Sequence, residues 1–458
     1  MFSFISRHAI FPLHERLIGR ATSRYVRELE RSQWESPFDL RRLQAVKLNE
    51  LLRHARRNVP FYRERLADLD LDAARDDPTE LLRTIPLLDK RQIRMALGEM
   101  TWPGVPGGLV PHNTGGSTGE PLRFYFGRRR QAYDQAARIR THRWFGVDIG
   151  DRELYLWGSP IELGRAGLLK RLRDVLFNQR LLDAFRMSEH RMDAYLDAWD
   201  RFRPVCLFGY PSSIALFCRH ARARGRKLDC SAMRAVFVTG EVCYPHDRET
   251  ISSYFGVPVA DCYGSREAGF IAHECPQGRM HLTAENVIVE ILRDGRSVPS
   301  GETGEIVVTH LDAYAMPFIR YRTGDVGRLL SGRCSCGRGL AMMDVVSGRS
   351  TDFLYTPDGQ IKHALSIIYP LREMEGVAQF RVTQHEDFSV TVDIVAEDCG
   401  ISAESVRACI RPVLGEKIDV RVNRVDRIEQ TASGKFRYVV SHAVPSPRKR
   451  EEFACAGA

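Results

Sequence analysis

Three textures of apolar and polar positions follow one another along this chain. Up to about residue 100, leucines recur at helical spacing, as from Leu43 to Ala55, and predict a helix-rich region. From about 108 to 345, short apolar runs alternate with helical patterns. Glu153–Trp157, Pro204–Phe208, Ala235–Thr239 and Glu305–Val308 read as strands of an α/β sheet. Beyond Arg349 a smaller α+β unit follows, with strands near Gln379–Thr383 and Ser389–Val395, a helix near Ala403–Leu414 and a polar tail from Pro445. The expected fold is therefore α/β: a large N-terminal domain of mixed β-sheets and helices, residues 1–348 (helical 1–100, α/β core 101–348), and a small α+β C-terminal domain, residues 349–458.

The chemistry sits in the loops between these elements. Thr114-Gly115-Gly116-Ser117-Thr118-Gly119 packs three glycines and three hydroxyls into one turn, letting backbone N–H groups and side-chain donors approach an anion. It lacks the Gly-Lys-Ser/Thr ending of a Walker loop, and such a cluster standing alone is an ordinary loop. Downstream, Asp261-Cys262-Tyr263-Gly264-Ser265-Arg266-Glu267 follows the strand-like Val257–Ala260 and sets an aromatic, a glycine turn and an acid at a strand end. Phe318-Ile319-Arg320-Tyr321-Arg322-Thr323-Gly324-Asp325 ends in an acid held by a tight turn, placed to accept from two sugar hydroxyls. Ser347-Gly348-Arg349 follows, and Thr431-Ala432-Ser433-Gly434-Lys435 presents one lysine on a flexible turn. Each element alone has a bland reading; their order across the chain does not.

Together these motifs resemble the acyl-adenylate-forming (AMP-binding) superfamily, and within it the phenylacetate–CoA ligases. Leu51–Tyr62 and Ile85-Pro86-Leu87-Leu88-Asp89-Lys90 are similar to the opening of that family, so the likeness runs from about residue 40 to 442. It implies that Thr114–Gly119 hold the β- and γ-phosphates of ATP, that Gly240, Glu241, Asp261, Cys262 and Tyr263 surround the adenine with Tyr263 stacked on it, that Gly264 and Ser265 also bind the nucleotide, and that Glu267 holds Mg²⁺. Asp325 takes the ribose hydroxyls, Arg349 the ribose and phosphate side, and Lys435 the reacting oxygens; Lys435, Glu267 and Arg349 form the catalytic set. In the superfamily the C-terminal domain rotates to bring the lysine in and out; the usual hinge position is Thr351 here. Where many CoA ligases have a short glycine-containing loop for the pantetheine arm, Leu354–His363 reads as a hairpin with a Pro-Asp-Gly turn, resembling the capsule-biosynthesis (CapK-type) branch. Trp157, Phe208, Gly209 and Tyr210 are expected at the substrate pocket, which suits an aryl or arylalkyl carboxylic acid. CoA is the default acceptor. An amine, a hydroxyl or another nucleophile, activation of nitrite, and a catalytically idle nucleotide-binding relative stay open.

Cysteine spacing carries a separate signal. Cys275 and His281, then the knuckle Cys334-Ser335-Cys336-Gly337, have the spacing of a Cys₃His set suited to structural Zn²⁺, with His273 the rival nitrogen and free thiols the alternative reading of the same spacing. Cys206, Cys218, Cys230 and Cys243 read as core fillers.

Composition adds bounds. The chain has 458 residues, 43% hydrophobic and 27% charged, as ordinary globular proteins are. No run of 18 apolar residues and no cleavable signal is found, so the expected location is the cytoplasm without stable membrane insertion. The net charge of +9 spreads over runs such as Arg128-Arg129-Arg130 and Arg219–Arg226, which read as solvated helix faces. No nucleic-acid module accompanies them, and ATP, pyrophosphate or CoA would profit from the same field. An oligomer is compatible with all of this.

Overall fold

The computed structural model describes residues 2–70, 78–113, 122–157, 173–184, 187, 189–347, 353–357, 361–363, 367, 370–371, 374, 376–396, 401–428 and 438–443. The chain forms two compact units, Met1–Val346 and Ser347–Ala458.

The first unit opens with helices whose limits the sequence chemistry sets. Pro37–Asn58 starts where the Ser36 side chain accepts from the N–H of Asp39, with Pro37 in the first turn, and it buries Leu40, Leu48, Leu51, Leu52 and Ala55 along one face. Lys90–Met95 starts in a capping box of Asp89 and Gln92. Strands β1 (Val110–Asn113) and β2 (Arg123–Phe126) pair as a small antiparallel sheet flanking the glycine-rich segment. Thr114–Gly119 themselves lie outside the described residues.

The main sheet contains β3 (Glu153–Trp157), β4 (Gln179–Asp183), β5 (Cys206–Gly209), β6 (Ala235–Thr239), β7 (Val259–Ser265), β8 (Gly269–Glu274), β9 (Met280–Leu282), β10 (Val287–Arg293), β11 (Arg296–Ser297), β12 (Gly304–His310), β13 (Tyr321–Leu330) and β14 (Met342–Ser347). Among the described residues their order is β11-β10-β12-β13-β14-β9-β8-β7-β6-β5-β3-β4. The block β7-β6-β5-β3-β4 is parallel, and β7 meets β8 antiparallel. Parallel strands covered on both faces need continuous apolar runs, and β6 is buried from Ala235 to Val238. The crevice outside the carboxyl ends of that block is where an open α/β sheet collects ligands.

Two expectations change. The sequence predicts a strand over Val257–Ala260 with Asp261–Glu267 at its end; the strand instead runs Val259–Ser265, because Cys262 and Tyr263 find ladder partners on β8 and the irregularity is postponed to Tyr263/Gly264. The tight turn expected at Thr323-Gly324-Asp325 lies inside β13 as a bulge, with Gly324 at φ +79°, where Glu305 faces Val326 while Val307 faces Arg322.

The second unit pairs β15 (Phe353–Tyr355) with β16 (Ile361–His363) antiparallel. It also forms a sheet of β17 (Val377–Gln384), β18 (Val390–Ala396), β19 (Val420–Arg424) and β20 (Val439–Ser441) in the order β19-β18-β17-β20. The helix Ala403–Leu414, capped by Ser402, buries Val406, Ile410 and Leu414 in a core with Phe380, Val392 and Ile394.

Candidate functional site

Several of the expected residues of the first unit stand at the carboxyl ends of the parallel strands. Gly240, just past β6, has φ +80°, and a Cβ there would meet Tyr210 at 3.0 Å, so only glycine lets the chain turn under that ring. The Glu241 carboxylate accepts from the Ser212 hydroxyl at 2.5 Å. Tyr210 stacks on Trp157 with centroids 4.1 Å apart, and Phe208 lies 5.6 Å from Trp157 at a tilt. Gly209 is buried against the Leu156 carbonyl, a packing position.

On β7, the Cys262 carbonyl accepts from Thr239 Oγ1 at 2.7 Å. Gly264 passes so close to β8 that a Cβ would fall 2.6 Å from the Gly269 carbonyl. Ser265 Oγ accepts from the N–H of Ala268, closing the turn. Asp261 is pushed up to about 7, first by burial and then by the neighbouring Glu274, whose carboxylate accepts from its backbone N–H at 2.7 Å. Tyr263 Oη donates to Asp325 Oδ2 at 2.9 Å, so the proposed adenine platform and the proposed ribose acceptor are tied directly.

Glu267 is 5% exposed. Its Oε1 accepts from Tyr321 Oη at 3.0 Å and lies 3.8 Å from Lys90 Nζ, while Oε2 has no partner among the described residues. Arg130 donates to the Glu267 carbonyl at 2.8 Å, its guanidinium 3.9 Å over the Phe126 ring. Burial opposes that charge and lowers Arg130 to about 10. The expectation of a solvated Arg128–Arg130 face is thus corrected: Arg130 is 1% exposed, and Arg129 pairs with Asp312 at 2.9 Å. The carbonyls and carboxylates inside the fold hold these arginines there. Arg140, also 1% exposed, reaches Glu285 at 2.6 Å. Arg349, Thr351 and Lys435 lie outside the described residues.

The metal-like set converges. One ligand atom each from Cys275, His281, Cys334 and Cys336 all fall within 4.8 Å of one another. Cys275 and Cys334 sulfurs are 3.7 Å apart, and Cys336 Sγ is 3.3 Å from His281 Nε2. His281 Nδ1 faces the Leu340 carbonyl at 3.1 Å, which fixes the tautomer and frees Nε2 for a cation. Burial lowers His281, favouring the neutral ring a metal needs. His273, the rival, stands outside the cluster and faces the Glu274 carbonyl instead. Cys206 and Cys218 are buried, whereas Cys230 and Cys243 are only half-buried; no disulfide forms among the described residues.

Sequence reasoning missed a second polar group. Arg138, Glu153, Tyr155 and Gln179 meet beside Trp157 and Phe208, where they line a cavity of about 580 Å³. Arg138 sits in the helix Arg128–Arg143, whose buried residues include Arg130, Ala136, Ile139, Arg140 and His142 on several sides, so no apolar stripe set it apart. Alternation along β3 carries the only signal, with Glu153 at a buried strand position.

Residues 182–312 match the model of the AMP-binding enzymes, and residues 354–442 that of the CapK C-terminal domain. A phenylacetate-coenzyme A ligase of Pseudomonas putida is 26% identical over 87% of this chain and 91% of its own. Another from Escherichia coli K12 is 29% identical over 71% of this chain and 75% of its own. A solved 2-hydroxyisobutyryl-CoA ligase in its postadenylation state shares the fold at TM-score 0.67 and 18% identity, covering 90% of this chain and 91% of that one. The chain carries an AMP-binding enzyme segment and a CapK-type C-terminal domain. It is an AMP-forming acid ligase, similar to phenylacetate-coenzyme A ligases over most of its length. Among the described residues no helix is long and apolar enough to cross a membrane.

Proposed function

We propose that this enzyme uses ATP to convert an aromatic carboxylic acid to its acyl-adenylate with release of pyrophosphate, then passes the acyl group to an acceptor, by default CoA. The observation that carries the reading is the tie of Tyr263 to Asp325 beside a buried Glu267 with one open carboxylate oxygen. An acid oxygen attacks the α-phosphorus as the bond to pyrophosphate breaks, so two anions must meet and positive charge must serve both. Lys435 supplies it at the reacting oxygens, Arg349 at the ribose and phosphate side, and Thr114–Gly119 at the β- and γ-phosphates. Glu267 fits a hard cation because its free oxygen is a carboxylate, the donor Mg²⁺ prefers, and bound Mg²⁺ would neutralise phosphate charge there. Gly240, Glu241 and the β7 residues Asp261–Ser265 bound the base, and Asp325 accepts from the ribose. Trp157 and Phe208 make the aromatic wall for the acid.

Cys275, His281, Cys334 and Cys336 would hold a structural Zn²⁺. Four protein donors close the site, so its role is to pin β8 and β9 to the loop before β14. The β15/β16 hairpin, in the stretch matched by the CapK C-terminal domain, favours a second reading of the acceptor: an amine or hydroxyl in place of CoA. We place the enzyme in the cytoplasm. Acid-dependent ATP–pyrophosphate exchange tests the first half-reaction, and product analysis with CoA or an amine tests the second.

A further inference from the structure

The cavity beside Trp157 and Phe208 is not apolar at its floor. Glu153, 6% exposed, accepts from Arg138 at 3.3 Å, from Gln179 at 3.2 Å and from the Tyr155 hydroxyl. Tyr155 in turn accepts from Arg138 at 2.9 Å. All three donors meet Glu153 Oε2, while its Oε1 faces His142 Nδ1 at 3.8 Å, and capacity is left in the other two members, Arg138 and Gln179. Arg138 uses only one terminal nitrogen, so its Nε and second terminal N–H groups have no protein partner among the described residues. Gln179 donates from its amide nitrogen, and its carbonyl oxygen is likewise without a protein partner among them. Neither residue's open atoms are sealed in the interior, and both residues line the cavity.

The walls explain why these groups matter. Phe208 lies 5.5 Å from Tyr155 and 5.6 Å from Trp157, so these rings form one continuous wall of the cavity, against which a planar guest lies with its far end toward open donors and one open acceptor. A hydroxyl is the small group that both accepts and donates. A purely apolar guest would strip water from the Arg138 N–H groups and the Gln179 carbonyl and return no hydrogen bond to either.

We infer that the acid activated here is a hydroxyaryl acid, its hydroxyl remote from the carboxylate and seated between Arg138 and Gln179, with Tyr155 and Glu153 holding Arg138 in place. This deepens the proposed function and rests on its claim that an aryl acid is adenylated. Arg138 and Gln179 are specificity-determining residues, and Glu153 is a positioning residue.

The test is ATP–pyrophosphate exchange with matched pairs of acids: phenylacetate against its 3- and 4-hydroxy forms, and cinnamate and benzoate against theirs. Wild type is compared with Gln179→Leu and Tyr155→Phe, with thermal melting to establish folding. A site built to bond a hydroxyl rejects its deoxy analogue by up to about 10⁴-fold, so a preference of at least roughly 10²-fold in kcat/KM for one hydroxylated member is expected. In Gln179→Leu that ratio collapses toward one, which a merely structural role, lowering both acids alike, would not do. Equal use of both members by wild type, or an unchanged ratio in folded Gln179→Leu, overturns the inference while the adenylation reading stands. Exchange with no acid at all overturns both.

Discussion

Tyr263 Oη donates to Asp325 Oδ2 at 2.9 Å, joining two positions 62 residues apart at the lip of the parallel sheet. In the proposed nucleotide site the ring of one and the carboxylate of the other would thereby be set together before ATP arrives, which would reduce the ordering cost of binding. Tyr263→Phe keeps the ring and removes the tie. The KM for ATP in the exchange reaction should rise roughly three- to tenfold, the worth of one ordinary hydrogen bond, with kcat little changed. An unchanged KM would mean that Asp325 is oriented without Tyr263.

The raised Asp261 has a thermodynamic signature. Its folded value of about 7 exceeds that of an unfolded aspartate, about 4. Between those values the folded form keeps a proton that the unfolded chain has lost. Asp261 therefore makes stability fall as pH rises from about 4 to about 7, with no further change above. The difference in Tm between Asp261→Asn and wild type should grow in the mutant's favour across that window. Parallel Tm curves would place the carboxylate in a less buried setting.

Metal analysis checks the cysteine cluster. Purified protein should carry about one zinc per chain, and Cys336→Ser or His281→Ala should lose it and lower the Tm, while His273→Ala should retain it. Metal-free wild type with an unaltered melting curve would remove the zinc assignment.

Much of the architecture could be read from the chain, for identifiable reasons. Apolar runs such as Ala235–Val238 are strands because both faces of a parallel sheet are covered, and the Leu43–Ala55 spacing is one buried helix face. The Cys334-Ser335-Cys336-Gly337 knuckle was legible because two thiolates can share one ion only across a tight turn. Strand limits were not: β7 extends to Ser265 through pairing with β8, a partner that local sequence does not reveal. The arginines misled for a related reason. Arg130 and Arg140 look like surface charge until Glu267 and Glu285, more than a hundred residues away, accept them inside the fold. The Arg138–Glu153–Gln179 floor was hidden likewise, since its members come from a helix and two neighbouring strands.

The account turns on Lys435 as the residue that supplies charge during adenylation. The most direct test is ATP–pyrophosphate exchange across a panel of aryl and aliphatic acids, run on wild type and Lys435→Ala, with a synthetic acyl-adenylate supplied separately to both. The account predicts acid-dependent exchange in wild type, a fall of roughly 10²–10³-fold or more in the mutant, and continued consumption of the supplied adenylate by both. Full exchange in Lys435→Ala, or equal loss of adenylate formation and adenylate consumption, would contradict it.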